Sequence, residues 1–246
     1  MAINQFCSEI DLNIKMKTDL KNFSTATKII LSLLAITLTI TACKKDFNND
    51  PIEAAGIGFV HASPGTGALD FILDNQKINS FTYTKDLGYY AAYPGIRLVG
   101  VAKKDTLKYL TTANATLKSG SFYSVFVVDT LKSTKLLILE DDLKAPETDK
   151  AKVRFVNLSP GSAPFDLAIA GTDAPLFTAK AFKEFTTFSN IAPNDSYTFQ
   201  LKQGGAVKVS LPAVKIEKGK IYTIWAKGLS SKTDSTGVGL SVMTNK

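Results

Sequence analysis

The chain repeats itself. Phe59-Val60-His61-Ala62-Ser63-Pro64-Gly65, with Asp70 shortly after, returns 96 positions later as Phe155-Val156-Asn157-Leu158-Ser159-Pro160-Gly161 with Asp166. A second stretch, Leu117-Lys118-Ser119-Gly120-Ser121-Phe122-Tyr123-Ser124-Val125, returns 99 positions later as Ile216-Glu217-Lys218-Gly219-Lys220-Ile221-Tyr222-Thr223-Ile224. Matches at Phe, Val, Ser, Pro, Gly and Asp in one short frame are not accidental, so the 246 residues hold a tandem pair of similar units. Whatever fold one unit takes, the other must accept the same strand and turn signals.

Those signals are β. Alternating or β-branched runs bounded by turn residues occupy 57–62, 69–73, 95–102, 107–117, 122–128 and 134–139, then 152–158, 165–169, 196–202, 206–216, 221–227 and 237–243. Neither unit carries a long amphipathic helix, which predicts an all-β chain with one antiparallel sandwich per unit. In Ser63-Pro64-Gly65 and Ser159-Pro160-Gly161, proline presets φ near −65° and glycine supplies the positive φ of a type II turn. Asp70 and Asp166 are expected to accept hydrogen bonds from those turn amides. An apolar residue, a glycine three on and a tyrosine three further resembles the tyrosine corner of Greek-key sandwiches, which implies that the Tyr123 and Tyr222 hydroxyls bond back to upstream backbone. The strip from Glu140 to Lys150 is charged, contains Pro146 and has no periodicity, so it reads as the connection between units.

The N-terminal region reads as an export signal. Lys17, Lys21 and Lys28 precede an apolar run from Ile29 to Ile40, and small residues then lead to Cys43. Twelve apolar residues are too few for a membrane-crossing helix, which needs about 20. Ile40-Thr41-Ala42-Cys43 resembles the lipobox of bacterial lipoproteins, which implies cleavage before Cys43 and acylation of its thiol and new amine, palmitate among the chains. Glu9 and Asp11 sit awkwardly in a signal region, so Met16 is the expected start. Lys44 in place of Asp after the cysteine follows the sorting pattern for the outer membrane of a Gram-negative cell, and Lys44-Lys45-Asp46 looks like the tethers of some cell-surface lipoproteins. The expected organisation is a signal region over 1–42, a lipidated tether over 43–55, a first sandwich over 56–143, a linker over 144–150 and a second sandwich over 151–246. Cys7 and Cys43 are the only cysteines, so a mature chain with an acylated Cys43 has no disulfide and holds by core packing.

Phe59 to Gly65 with Asp70, followed by Gly88-Tyr89 and Tyr93-Pro94-Gly95, resembles the family called domain of unknown function and numbered four-three-nine-seven, found in exported bacterial proteins. The second unit departs from the pattern, with Asn157-Leu158 for His61-Ala62 and Pro193-Asn194 at the later turn. The resemblance covers about residues 56 to 246 and implies two tandem Ig-like β-sandwich domains after a lipoprotein signal peptide. It implies no activity.

Catalytic and metal chemistry find little footing. Ser63, His61 and Asp70 are the residue types of an acyl-transfer triad. Ser63, however, sits beside a turn proline with no nucleophile elbow, and the second unit keeps Ser159 and Asp166 while putting Asn157 at the histidine position, as a structural site would. One histidine and no free mature cysteine argue against zinc or copper, and Glu140-Asp141-Asp142 lacks calcium-loop spacing. Gly204-Gly205 and the glycines at 237 and 239 read as hairpin turns, since no helix follows to cradle a phosphate. Net charge is +7, with a pI near 9.2. The lysines of the second unit (202, 208, 215, 218, 220 and 227) fall on different strands, which argues against nucleic acid.

Tyr89, Tyr90 and Tyr93 are the candidate binding surface, because tyrosines give large rigid contact area. The expected function is a non-catalytic binding or structural module, membrane-attached through lipid, without cofactor or metal, whose partner is a protein or a glycan. The alternative is a hydrolase or hydrolase accessory acting on envelope or external polymers through carboxylates at an inter-domain cleft.

Overall fold

Short β-branched and aromatic runs, cut every few residues by Gly, Pro, Asp or Asn, leave no stretch long enough for an amphipathic helix. A computed structural model describes residues 53–106 and 108–246, and among them the backbone forms sixteen strands and no helix. The signal region and Cys43 lie outside the described residues.

The first eight strands are β1 (Ala55–His61), β2 (Leu69–Leu73), β3 (Gln76–Phe81), β4 (Asp86–Ala92), β5 (Gly95–Lys103), β6 (Tyr109–Leu117), β7 (Phe122–Val128) and β8 (Lys135–Asp141). They form two sheets, in the orders β4-β1-β7-β8 and β3-β2-β5-β6. The next eight are β9 (Ala151–Asn157), β10 (Phe165–Ile169), β11 (Phe177–Lys180), β12 (Ser189–Ile191), β13 (Asn194–Gln203), β14 (Ala206–Ile216), β15 (Ile221–Lys227) and β16 (Gly239–Thr244). Their sheets run β12-β9-β15-β16 and β11-β10-β13-β14. Counted from one within its own set, the second half repeats the strand order of the first, so the duplication is one of topology as well as of sequence. Each half is a two-sheet β-sandwich. Pairing is antiparallel except between β1 and β7, and between β9 and β15, where the first strand of each unit lies parallel to the seventh.

Four strands carry no clear signal in the sequence: β3, β4, β11 and β12. All four are edge strands. An edge strand is half solvated, so polar residues such as those of Gln76-Lys77-Ile78-Asn79 dilute its alternation. Glu140 and Asp141 belong to β8 and not to the connection, because the backbone of Phe122 and Tyr123 pairs with them.

Strand alternation separates three cores. On β1, Ile57 and Phe59 point inward to meet Phe71, Val99 and Val125. On β9, Val153 and Phe155 point inward to meet Leu167, Phe199 and Ile224. The opposite faces of the same strands build the third core: Val60, Ala62, Phe126 and Val128 of the first sandwich pack with Val156, Leu158, Trp225 and Met243 of the second. The β4-β1-β7-β8 and β12-β9-β15-β16 sheets therefore lie face to face, and all seven residues of β1 are buried. Full burial of each such apolar side chain contributes about 1.5–3 kcal/mol.

The two sandwiches share one polarity. At one end Lys246 Nζ donates to the Leu143 carbonyl at 3.4 Å, and at the other Lys227 Nζ lies 5.5 Å from the Tyr83 ring centre. β1 and β9 thus run the same way. Both start at the end where residue 54 enters, and both run out into a Ser-Pro-Gly loop at the opposite end.

Candidate functional site

The loop end is built from the repeated motif. Gly65 and Gly161 sit at φ 80° and 69°, where an L side chain is strained, which accounts for glycine at both places. Ser63 Oγ donates to the Asp129 carbonyl at 2.5 Å, and Ser159 Oγ donates to the Gly228 carbonyl at 2.6 Å. Each serine thereby pins its loop to the end of the seventh strand of its own sandwich. Thr66 Oγ1 and Ser162 Oγ close the same turns by donating to the Ser63 and Ser159 carbonyls, each at 3.0 Å. These two hydroxyls stand 96 positions apart and complete the motif, although the residue types differ.

His61 and Asn157 are equivalent ties. His61 Nε2 donates to the Gly67 carbonyl at 2.8 Å, while Asn157 Nδ2 donates to the Lys180 carbonyl at 2.9 Å and its Oδ1 accepts from Ser159 N–H at 3.0 Å. Asp70 and Asp166 do not receive the turn amides expected for them, because both side chains reach across to neighbouring hairpins. Asp70 accepts from Ser80 Oγ at 2.6 Å and from Asp105 N–H at 2.8 Å, with Lys77 at 3.0 Å; Asp166 accepts from Ala179 N–H at 2.7 Å. The Ser63, His61 and Asp70 side chains are thus each committed elsewhere. No carboxylate bonds the imidazole, whose Nδ1 is buried without a partner.

Burial pushes the His61 pKa down, against the smaller opposite effect of the Gly67 carbonyl. The folded state therefore resists a proton that the unfolded chain accepts near pH 6.5, so the stability this neutral ring contributes is present above that pH and is lost as pH falls below it. Tyr83 beside it, pushed up to about 12 by burial, stays neutral throughout. Replacing His61 by Asn, the residue of the second unit, should flatten the fall in urea midpoint between pH 7 and pH 5. An unchanged slope would assign the acid sensitivity to other groups.

The tyrosine-corner residues behave alike. Tyr123 OH accepts from Lys118 N–H and Tyr222 OH from Glu217 N–H, each at 3.1 Å. Tyr89, Tyr90 and Tyr93, in contrast, do not form one surface. Tyr90 packs on Phe71 in the first core and accepts from Asn79 Nδ2 at 3.0 Å. Tyr89 turns the other way, into the seam between sandwiches. Tyr93 lies beyond the end of β4 and is 75% exposed. The strand ends at Ala92, so its alternation does not carry Tyr93 to the side of Tyr89.

Tyr89 belongs to a closed polar ring in the seam. Asp141 Oδ1 faces Arg154 Nη1 at 2.6 Å, and Asp141 Oδ2 accepts from Tyr89 OH at 2.5 Å and Ser124 Oγ at 2.6 Å. Arg154 Nε donates to Thr223 Oγ1 at 2.8 Å, Thr223 Oγ1 donates to Asn245 Oδ1 at 2.7 Å, and Asn245 Nδ2 returns to Tyr89 OH at 2.8 Å. Arg154 also lies 4.5 Å over the Phe188 ring. Burial and the Asp141 charge together raise the Tyr89 pKa, so its hydroxyl stays a donor. The two sandwiches contribute corresponding positions that have diverged: Ser124 with Thr223, Asp141 with Asn245, Tyr89 with Phe188, and Gly58 with Arg154. Gly58 gives Tyr89 its room, since a Cβ there would stand 3.3 Å from the tyrosine ring. Arg154, set between the buried Val153 and Phe155, was the one sequence signal of this ring.

Two cavities flank this frame. One of about 670 Å³ lies at the end of the seam where residue 54 enters, where Phe122, Glu140 and Asn245 reach it. The Lys118 ammonium holds the Glu140 carboxyl below the usual range, the opposite of what a general acid needs. The other, about 470 Å³, lies at the loop end of the second sandwich and is lined by Ser162, Gln203, Lys208, Ser230 and Lys232.

This geometry defines a class: two β-sandwiches of one topology fused in tandem and joined face to face by an apolar seam with a buried ion pair. Residues 55–168 match the model of the family described as "Domain of unknown function (DUF4397)". The match takes in the whole first sandwich and runs on into β10 of the second. No curated protein matches the chain. Among solved structures, a protein of Bacteroides eggerthii DSM 20697 described as a "putative cell adhesion protein" is similar at 11% identity, over 80% of this chain and 97% of that one, with a TM-score of 0.21. A likeness that loose carries no argument about function.

Proposed function

We propose that the chain is a lipid-anchored, extracytoplasmic binding module that holds a protein or glycan partner at its loop end without chemically altering it. The observation that carries this reading is the shared polarity of the sandwiches. The tether joins one end, both Ser-Pro-Gly loop sets stand at the other, and the buried seam makes the whole a rigid spacer between them. Loops on a rigid scaffold are where β-sandwiches bind. The loop-end cavity of the second sandwich presents hydroxyls, an amide and the exposed Lys208 and Lys232. That donor set suits a hydroxyl-rich or acidic partner. The commitment of Ser63, His61 and Asp70 to structural bonds supports the non-catalytic part.

The test is an array of envelope glycans and proteins probed with the acylated chain in nanodiscs. Lys208→Glu with Lys232→Glu should weaken the strongest interaction about tenfold, or ~1.4 kcal/mol, and the partner should be recovered with unchanged mass. Binding indifferent to this pair would remove the loop end from consideration, and a cleaved partner would overturn the non-catalytic reading.

A further inference from the structure

We infer that the Tyr93-Pro94-Gly95-Ile96 turn is a membrane-contacting tip, which rests its apolar side chains in the interface of the bilayer that holds the acylated Cys43. The inference rests on the lipid-anchor reading and adds a second, protein-borne contact to it.

Four observations converge on this turn. Tyr93 is 75% exposed and Ile96 70%, more than any other large apolar side chain among the described residues. The exposure is not fraying, because Arg97 holds the turn: its Nε donates to the Tyr93 carbonyl at 2.8 Å, its Nη2 donates to the Pro94 carbonyl at 2.7 Å, and Asp74 faces its Nη1 at 3.4 Å. Nor does the fold require apolar residues here. The corresponding turn of the second sandwich, between β12 and β13, puts Ala192 and Asp195 at the places of Tyr93 and Ile96, and is held instead by Tyr197 OH donating to the Ala192 carbonyl at 3.0 Å. Only the sandwich that carries the tether has the apolar tip.

The fourth observation is position. Ala55 pairs with Ala92, so the turn stands beside the point where the tether enters the body. Residues 43–54 reach at most about 40 Å when fully extended, which keeps this end of the molecule near the surface in which the acyl chains are held. Tyrosine, with an apolar ring and a polar tip, suits the headgroup level, and isoleucine suits the hydrocarbon just below it. Asp74, the carboxylate that faces Arg97, is already paired with it. A second contact tethered to an anchor forms within one molecule, so even a shallow tip fixes the angle at which the rigid double sandwich stands.

The test uses the mature acylated chain in phosphatidylcholine vesicles. Cys43 is the only cysteine after cleavage and its thiol is blocked, so Ile96→Cys creates a unique site for an environment-sensitive fluorophore. Asp195→Cys, on the equivalent turn, is the control. Mass spectrometry of the same samples establishes acylation first. The expected result is blue-shifted emission at 96, quenched several-fold more strongly by nitroxide-bearing lipids than emission at 195. A label at 96 that remains in water, on an acylated chain, overturns the tip and leaves the anchor intact. A blue shift that lipid nitroxides do not quench overturns it in favour of a second copy of the chain covering the turn. An unacylated chain removes the anchor, and the tip with it.

Discussion

Replacing Asp141 by alanine should destabilise the protein by about 3–5 kcal/mol, because it leaves a guanidinium buried without its counter-charge. The Arg154 side chain is 2% exposed and that of Asp141 is fully buried, so water cannot take the place of the lost carboxylate. Tyr89 and Ser124 lose their acceptor in the same step. For a domain of ordinary stability, 5–15 kcal/mol, the loss is a large fraction of the whole. Trp225, the only tryptophan, lies 1% exposed in the same seam, so its emission reports the damage directly. The variant should show a lowered urea midpoint and a red shift at denaturant concentrations where the wild type is still folded. Asp141→Leu combined with Arg154→Met should recover most of the loss, since removing both charges leaves neither stranded. An Asp141→Ala protein within about 1 kcal/mol of wild type would mean that the seam is wetter than its geometry implies.

Trp225→Ala should cost about 3–5 kcal/mol by a different route, the cavity left among Val60, Phe126, Val156 and Met243. Each sandwich retains its own complete core, so the damage falls on their coupling. Wild-type calorimetry should show one cooperative transition, and the variant should show two, as the sandwiches begin to melt separately. A single transition with only a slight downward shift would show that the seam contributes little to cooperativity.

The repeat was visible in the sequence because its signals are local. Ser63-Pro64-Gly65 and Ser159-Pro160-Gly161 must satisfy turn geometry within a few residues, and Tyr123 and Tyr222 bond to backbone five positions upstream. The ring was not visible, because Tyr89, Asp141, Arg154 and Asn245 are distant along the chain and only the packing of two sheets brings them together. Grouping Tyr89, Tyr90 and Tyr93 as one surface failed for the reverse reason: a strand's period of two sends Tyr89 and Tyr90 to opposite faces, and β4 stops at Ala92, before Tyr93. Asp141 was read with the charged strip that follows it, since composition does not distinguish a solvated acid from one at the end of a strand with a guanidinium waiting across the seam.

The divergence of the seam positions also governs which halves can recognise each other. Two first sandwiches, brought face to face as the first and second now stand, would put Gly58 in the place of Arg154 and a second Asp141 in the place of Asn245, so two carboxylates share the ring with no arginine to answer them. Two second sandwiches would bury two copies of Arg154 with no carboxylate. Either arrangement strands like charges in a dry interface, whereas the natural pairing supplies one of each. Where many copies of the chain stand close together and carry the same apolar faces, this chemistry favours pairing a first half with a second. The short 144–150 connection makes the second half of the same chain the one within reach.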